Sequence, residues 1–338
     1  MFAIKKITLD TIANELGTTK NTVSRAIRGK PGVSSELRSK INELVEKYGY
    51  QKREEPETKQ TPTKVTMICS DSMSRDTYFW PSVMRGIFDY SAESQVVISS
   101  VILEMTTNNI KDMLPLQEKH CDGILVVGAL PDAQFKSISE LGIPLVAIDH
   151  FNDFTKGDYI NIANRNGMLK AVDFLAENGH RKIGFINNES ASYTFSFARR
   201  YNGYVKRMEF LGLEIDPRFV WHDSSYYSHT YLQEKFDTLC TGNDAPTAWV
   251  CVNDTTAYNF CKILMERGLR VPEDVSVIGF DNIPGFFHTQ LTTLEVPMYE
   301  MGKRGLGRLM RRIRFPDEPY DNTELLTQLV DKGSVKRI

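Results

Sequence analysis

The sequence predicts an α/β body of two doubly wound parallel-sheet lobes, preceded by a small all-α helix-turn-helix head. Three observations lead there. Residues 1–50 hold three short helical patterns, two of them joined by a tight turn containing Gly17. From Lys64 onward, short β-rich runs alternate with helical ones, as in parallel sheets covered on both faces. The stretch from residue 64 to residue 338 is long for one sheet, so two similar lobes with a cleft between them is the economical arrangement.

Each element has a local reason. Thr8 can cap a first helix whose apolar face is Leu9, Ile12, Ala13 and Leu16, and Gly17 ends it. Thr19 can cap a second helix through Ile27, with Val23, Ala26 and Ile27 facing inward. Gly29-Lys30-Pro31-Gly32 breaks the chain, and Ser34 or Ser35 starts a third helix bearing Leu37, Ile41, Leu44, Val45 and Tyr48. These helices make a head over residues 1–50. Residues 51–63 form a tether: from Gln51 to Pro62 there is no aliphatic or aromatic residue, and there are two prolines.

In the body, strands are expected at residues 65–69, 96–103, 123–127, 145–148, 182–186, 248–252 and 275–280. Helices are expected at 83–92, 109–120, 135–141, 166–178 and 197–211, and from the end of the sixth strand to about Arg267. The body spans 64–338, with an N-lobe of about 64–163 and 293–324 and a C-lobe of about 164–292 and 325–338. In such sheets, ligands bind beyond the carboxyl ends of the strands.

Composition excludes several classes. Hydrophobic residues make up 41% of the 338 and charged residues 25%, which argues against a wholly disordered chain. No run approaches the ~18 apolar residues of a membrane span, and no apolar stretch of a secretory signal follows Lys5 and Lys6. The five cysteines are scattered, with no C-x-x-C pair, so neither a disulfide scaffold nor a zinc module is expected, and a reducing cytoplasm fits. The six histidines lack metal-ligand spacing. No metal, cofactor, hydrolase elbow or Walker A loop is expected. Charge is uneven: residues 1–53 hold eleven Lys/Arg against five Asp/Glu, while the remainder is acidic. A basic head on an acidic body suggests one module that faces a polyanion.

The head reads Ile7-Thr-Leu-Asp-Thr-Ile-Ala13, Gly17, Thr22-Val-Ser-Arg25, Val33-Ser34 and Tyr48-Gly-Tyr50. The body adds Asp122-Gly-Ile-Leu-Val-Val-Gly128, Ile143-Pro-Leu-Val-Ala-Ile-Asp149, Gly179-His-Arg-Lys-Ile-Gly-Phe-Ile186, Val252-Asn-Asp254 and Val275-Ser-Val-Ile-Gly-Phe-Asp-Asn282. In this order the strings resemble the LacI/GalR repressor family from about residue 7 to 334. The resemblance implies a homodimeric, ligand-controlled regulator with a periplasmic-binding-protein-like body. It also implies a tether that folds on DNA and wedges the minor groove. Here Lys59 stands at the wedge position and Pro56 in the would-be helix, so a less ordered tether is expected.

Thr19, Lys20, Asn21, Thr22, Arg25, Arg28, Ser34 and Tyr50 are the expected DNA contacts. Arg, Asn and Lys can read base edges in the major groove, while hydroxyls at helix starts suit phosphate. Arg28 and Lys30 are read as phosphate contacts. Asp149, Asn253 and Asp281 each follow a strand and, with Arg200, can grip vicinal hydroxyls. The plainer reading is turn capping, which is favoured for Asp254 and Asn282. The resemblance places Tyr78, Phe79 and Tyr226 in the cleft, and core or interface packing is an equal alternative. His150 is expected at the surface. The basic run Arg304, Arg308, Arg311, Arg312 and Arg314 is expected to be a solvated helix face, with an acidic partner protein as the other option.

The expected function is a cytoplasmic, sequence-specific repressor that binds double-stranded DNA at a palindromic operator and is controlled by a sugar between the lobes. A purine or a phosphocarrier protein is the alternative effector. A solute-binding protein is disfavoured by the basic head, and a sugar-acting enzyme by the missing nucleophile and base. A dimer rather than a tetramer is expected, because no leucine heptad follows the last motif.

Overall fold

The computed structural model describes residues 9–27, 32–48, 62–70, 73, 78–104, 110, 121–152, 155–188, 194–223, 229–240, 242, 244–284 and 290–338. The expected helix at 109–120, all of the tether except Pro62 and Thr63, and Arg28, Lys30, Lys59, Tyr50 and Tyr226 thus fall outside the description, apart from Ile110. The chain divides into two units, Met1–Thr61 and Pro62–Ile338.

The first unit holds α1 (Leu9–Glu15), α2 (Lys20–Ile27) and α3 (Ser35–Lys47). Ile12, Ala13, Val23, Ala26 and Ile41 form its buried centre, with Leu9, Leu16, Leu37 and Leu44 packed around it. Gly17 ends the first helix at φ +60°, a backbone position that an L side chain resists. Two polar ties finish the bundle. Arg38 Nη1 donates to the Ala26 carbonyl at 3.2 Å, and the Tyr48 hydroxyl donates to the Glu15 carboxylate at 2.8 Å.

The second unit begins with a six-stranded parallel sheet. Its strands are β1 (Thr63–Ser70), β2 (Val96–Leu103), β3 (Gly123–Val127), β4 (Leu145–Ile148), β5 (Asp158–Ile162) and β11 (Asn322–Leu325), in the order β11-β5-β4-β3-β1-β2. Strand alternation sends Val65, Met67 and Cys69 to one face and Ile68, Ile124 and Val126 to the other. The first face is covered by α4 (Trp80–Ser94) and α10 (Met298–Arg314), the second by α5 (Asp132–Ser139). Facing glycines let α4 and α10 touch. A Cβ on Gly302 would stand 1.9 Å from the Val83 carbonyl, and one on Gly86 2.0 Å from that of Tyr299.

The second lobe has four parallel strands: β6 (Ile183–Asn188), β7 (Val220–Asp223), β8 (Ala248–Cys251) and β9 (Ser276–Ile278), in the order β7-β6-β8-β9. One face is covered by α6 (Asn164–Glu177) and α7 (Thr194–Phe210), the other by α8 (His229–Leu239) and α9 (Asp254–Glu266). Trp221 and Trp249 meet on the latter face with ring centroids 4.3 Å apart. The chain passes between lobes from β5 to α6, through β10 (Thr293–Glu295), and again through β12 (Gln328–Val330), and β10 and β12 pair antiparallel.

The expected solvated basic face on α10 is corrected in part. Arg304, Arg311 and Arg314 are exposed, but Arg312 is buried. Arg312 Nε donates to Asp158 Oδ2 at 2.8 Å, and Arg308 Nη2 donates to Asp158 Oδ1 at 2.8 Å. Arg312 also donates to the carbonyls of Pro316, Glu318 and Pro319, fixing the return from α10 to β11. Burial pushes the Asp158 carboxyl up, but hydrogen bonds from Arg312, Arg308 and the Asp321 N–H outweigh it and hold it below the ordinary value. His150, expected at the surface, is buried instead, its ring 4.1 Å from that of Phe135, which fills the space between α5 and the sheet.

Arg312→Ala leaves the Asp158 carboxylate short of its buried partner and should cost about 3–5 kcal/mol by urea unfolding. Because the Asp158 pKa is depressed, the wild-type advantage is present above the ordinary carboxylate pKa of about 3.9 and fades as the pH falls below it.

Candidate functional site

In the head, the Thr22 N–H donates to Thr19 Oγ1 at 3.2 Å, so Thr19 caps α2. Ser34 caps α3 by accepting from the Leu37 N–H at 3.3 Å. With Val23 and Ala26 buried, the helical period turns Lys20, Asn21 and Arg25 outward, and all three are exposed. Thr22 is half-buried beside them. The Arg25 guanidinium lies over Gly32, where a Cβ would meet its Nη2 at 2.9 Å. One helix face therefore presents an amide and two cations, with Lys20 and Asn21 at the helix start and Arg25 in its last turn.

In the body, the structure brings Asp149, Asn253 and Asp281, beyond the carboxyl ends of β4, β8 and β9, together with Arg200 from the second turn of α7, and all but Asp149 are buried. Arg200 is 2% exposed and tied on several sides. Its Nε donates to Asn164 Oδ1 at 2.7 Å, its Nη1 to the Val252 carbonyl at 2.8 Å, and its Nη2 pairs with Asp281 Oδ1 at 3.1 Å. The Phe280 ring lies 3.8 Å beneath the guanidinium. Asp281 takes φ +114° and Asp149 φ +54°, a region that non-glycine residues enter at a cost of about 1–3 kcal/mol. Backbone bonds hold them there. Asp281 N–H donates to the Leu294 carbonyl at 2.8 Å, and Asp149 N–H to that of Ile160 at 3.0 Å.

Asn253 does what the plainer reading expects: its Oδ1 accepts from the Thr256 N–H at 2.9 Å and caps α9. Asp254, expected as a cap, instead accepts from the Ile283 N–H at 3.0 Å and the Thr293 hydroxyl at 2.6 Å. Asn253 already occupies the capping position, which leaves the Asp254 carboxylate to the neighbouring turn. Asn282 caps no helix among the described residues: its Oδ1 accepts from Lys332 Nζ at 2.6 Å. Phe79 is buried, packed edge-on against Trp80 at 5.0 Å, whereas Tyr78 is 46% exposed.

Sequence reasoning missed the contacts that join the lobes. Ser196 Oγ donates to Asp149 Oδ1 at 2.6 Å. Phe151 and Phe195 stack at 5.5 Å, and Arg199 covers both rings while pairing with Glu324 at 3.2 Å. The signal was the clustering of Phe195, Ser196 and Arg199 just ahead of Arg200. Burial pushes the Asp149 carboxyl up, and the Ser196 hydrogen bond and the Arg200 charge pull it partly back. Two carboxylates, an amide and a guanidinium suit an uncharged ligand rich in hydrogen-bond donors. Among the described residues no cluster of three metal-ligating side chains occurs.

Comparisons agree with this division. The family profile described as "Bacterial regulatory proteins, lacI family" matches residues 8–52, and that of a "Periplasmic binding protein-like domain" matches 172–335. The HTH-type transcriptional repressor PurR of Pasteurella multocida is 29% identical over 340 residues, covering 97% of this chain and 98% of that protein. The ribose operon repressor of Haemophilus influenzae is 28% identical over 342 residues, covering 97% and 98%. Among solved structures, a transcriptional regulator CelR–cellobiose complex matches with a TM-score of 0.69 at 23% identity, over 97% of this chain and 100% of that one. The lac repressor dimer bound to operator and the anti-inducer ONPF matches with a TM-score of 0.69 at 19% identity, over 98% and 100%. At these identities the two structures speak for the fold.

Ser196→Ala removes a donor from the half-buried Asp149 carboxylate and should cost about 1–3 kcal/mol at neutral pH. Asp149 already titrates above its unfolded value, so its stabilising contribution is complete below the unfolded pKa and lost as pH rises through the folded one. The variant raises that folded pKa further. Its deficit in urea midpoint should therefore shrink as the pH is lowered towards 4.

Proposed function

Because the chain belongs to the lacI family of bacterial regulatory proteins, we propose that it is a transcriptional repressor that grips a palindromic operator with its head and answers to a small uncharged effector held between the lobes of its body. The observation that carries the reading is the pairing of two surfaces in a chain that matches repressors over nearly its whole length. One is the exposed Lys20, Asn21 and Arg25 face of α2. The other is the set of polar groups at the strand ends around Arg200.

On α2, Asn21 suits adenine, and Arg25 suits the two acceptors of guanine. Lys20 reads guanine or meets phosphate, while the capped starts of α2 and α3, with Thr19, Thr22 and Ser34, orient the helix on the backbone. Arg28 and Tyr50 belong to the same proposed footprint. In the body, Asp149 and Asp281 offer acceptor oxygens to vicinal hydroxyls, Arg200 and Asn253 offer donors, and Tyr78, Phe79 and Tyr226 complete the proposed wall. A sugar fits this set best. A purine is the second reading, favoured by the relatives named PurR.

Two copies are expected to pair through the edge strand β2 and the adjoining α4. Val97 and Ile102 on that strand and Phe88 on that helix are exposed apolar side chains, and β2 is the last strand of the sheet among the described residues. The three functional segments are the head at 1–50, the tether at 51–63 and the body at 64–338. The protein works on DNA in the cytoplasm, and among the described residues no helix is long and apolar enough to cross a membrane.

The test starts from an operator selected out of a random duplex library and a melting screen against ribose, cellobiose, guanine and hypoxanthine. A ligand at 100 times its dissociation constant should stabilise by about 2.7 kcal/mol. Asn21→Ala and Arg25→Ala should each weaken operator binding by about 1–3 kcal/mol and relax base preference, with the melting shift intact. Asp281→Asn should do the reverse, abolishing the shift while sparing operator affinity. Head variants that bind as wild type does, or an Asp281 variant that still responds fully, would contradict the assignment.

A further inference from the structure

Asp254 is a buried acid beside the cleft for which the effector reading has no task. It is 3% exposed and opens α9, yet Asn253 already caps that helix. Its carboxylate holds two other pieces of chain. Oδ2 accepts from the Ile283 N–H at 3.0 Å, and Oδ1 accepts from the Thr293 hydroxyl at 2.6 Å. Its own N–H donates to the Phe280 carbonyl at 2.8 Å, and a Cβ on Gly279 would stand 2.3 Å from Oδ1. The turn it fixes, residues 279–283, carries Asp281 to Arg200. The other side of that turn is bonded to the interlobe strand β10, through Asp281 N–H to the Leu294 carbonyl and Val296 N–H to the Asp281 carbonyl.

We propose that Asp254 is a positioning residue for effector recognition: through Ile283 and Thr293 it sets Asp281 against Arg200 and locks the same turn to the strand that joins the lobes. The inference rests on the reading of the cleft as the effector site. The geometry makes the effector's partner and the interlobe crossing parts of one hydrogen-bonded unit, so a shift at either is felt at the other.

The protonation behaviour of the group supplies a readout. Burial pushes the Asp254 carboxyl up to about 6, against the Thr293 and Ile283 hydrogen bonds and the charges of Lys332 and Arg200. Among the described residues, the Cys251 thiol at the end of β8 also feels the Asp254 charge, and the Asp281 carboxylate of the same turn is paired with Arg200. Ionised, Asp254 accepts both bonds. Protonated, it keeps the Ile283 N–H and donates to the Thr293 hydroxyl in the reverse sense. An asparagine can make that second arrangement permanently, without the charge.

The experiment uses the full-length protein in three forms, wild type, Asp254→Asn and Asp254→Ala. It combines hydrogen exchange with calorimetric binding of ribose, cellobiose and hypoxanthine. In Asp254→Ala, amides of 281–283 and 294–296 should exchange at least tenfold faster, while the centres of α9 and β8 stay protected. The affinity for whichever compound binds wild type should fall at least tenfold. Asp254→Asn should restore both. Wild type should lose thermal stability relative to Asp254→Asn as pH rises from 5 to 7, because a raised folded pKa means stability lost through about 6. Unchanged exchange in 281–296, loosening spread evenly over the whole lobe, or an asparagine variant that behaves like alanine would each overturn the proposal. If none of the three compounds binds wild type, the choice of effector fails and the exchange pattern alone decides the positioning role. Should the alanine variant fail to fold, Thr293→Val removes one donor only. It should quicken 294–296 without touching α9, and unchanged exchange there would overturn the proposal.

Discussion

A guanidinium buried at the mouth of a parallel sheet is the constraint around which the body is arranged. Arg200 sits almost free of solvent, and a buried charge is tolerated only when paired and hydrogen-bonded. Its partners are the first residue of α6, the carbonyl just after β8 and the carboxylate that follows β9. These pieces are far apart in sequence. Satisfying one side chain therefore fixes the strand ends of the C-lobe relative to each other, and the strained backbone of Asp281 is held as part of that arrangement. The polar groups proposed to meet a ligand are thereby preorganised before any ligand arrives.

The other lobe meets this arrangement through polar and aromatic contacts among the described residues. The Ser196–Asp149 hydrogen bond, the Phe151–Phe195 stack and the Arg199–Glu324 pair all lie on one side of α7, next to Arg200. Three chain crossings, two of them paired as β10 and β12, provide the pivot. A ligand that prefers one angle between lobes can shift such an equilibrium only by the difference in its affinity for the two states. The stiff units on either side of the pivot are built differently. The N-lobe depends on the glycine contact of α4 with α10 and on the Asp158 ion-pair network, and the C-lobe on its tryptophan-rich face.

Much of this was legible in the sequence, because most elements announce themselves locally. The head helices carry caps and apolar faces, and the hydrophobic runs at 123–127, 145–148 and 248–252 became buried strands. The strands β5, β7, β10, β11 and β12 escaped notice, since Asp158–Ile162, Val220–Asp223, Thr293–Glu295, Asn322–Leu325 and Gln328–Val330 are too short or too polar to stand out. Arg308 and Arg312 look like any solvated arginine until Asp158, about 150 positions earlier in the chain, is folded beneath them. Asn253 and Asp254 could not be told apart by type. Only the backbone decides which of two adjacent polar residues faces the helix start and which faces the next turn.

The account stands or falls on whether the groups gathered by Arg200 are those that meet the effector. The most direct measurement is a crystal structure of the full-length protein with the compound that raises its melting temperature most. The account requires that compound between the lobes, with its hydrogen-bonding atoms on Asp149, Asn253, Arg200 and Asp281. Density for it on an outer face, or in the cleft without a contact to Asp281, would contradict the account.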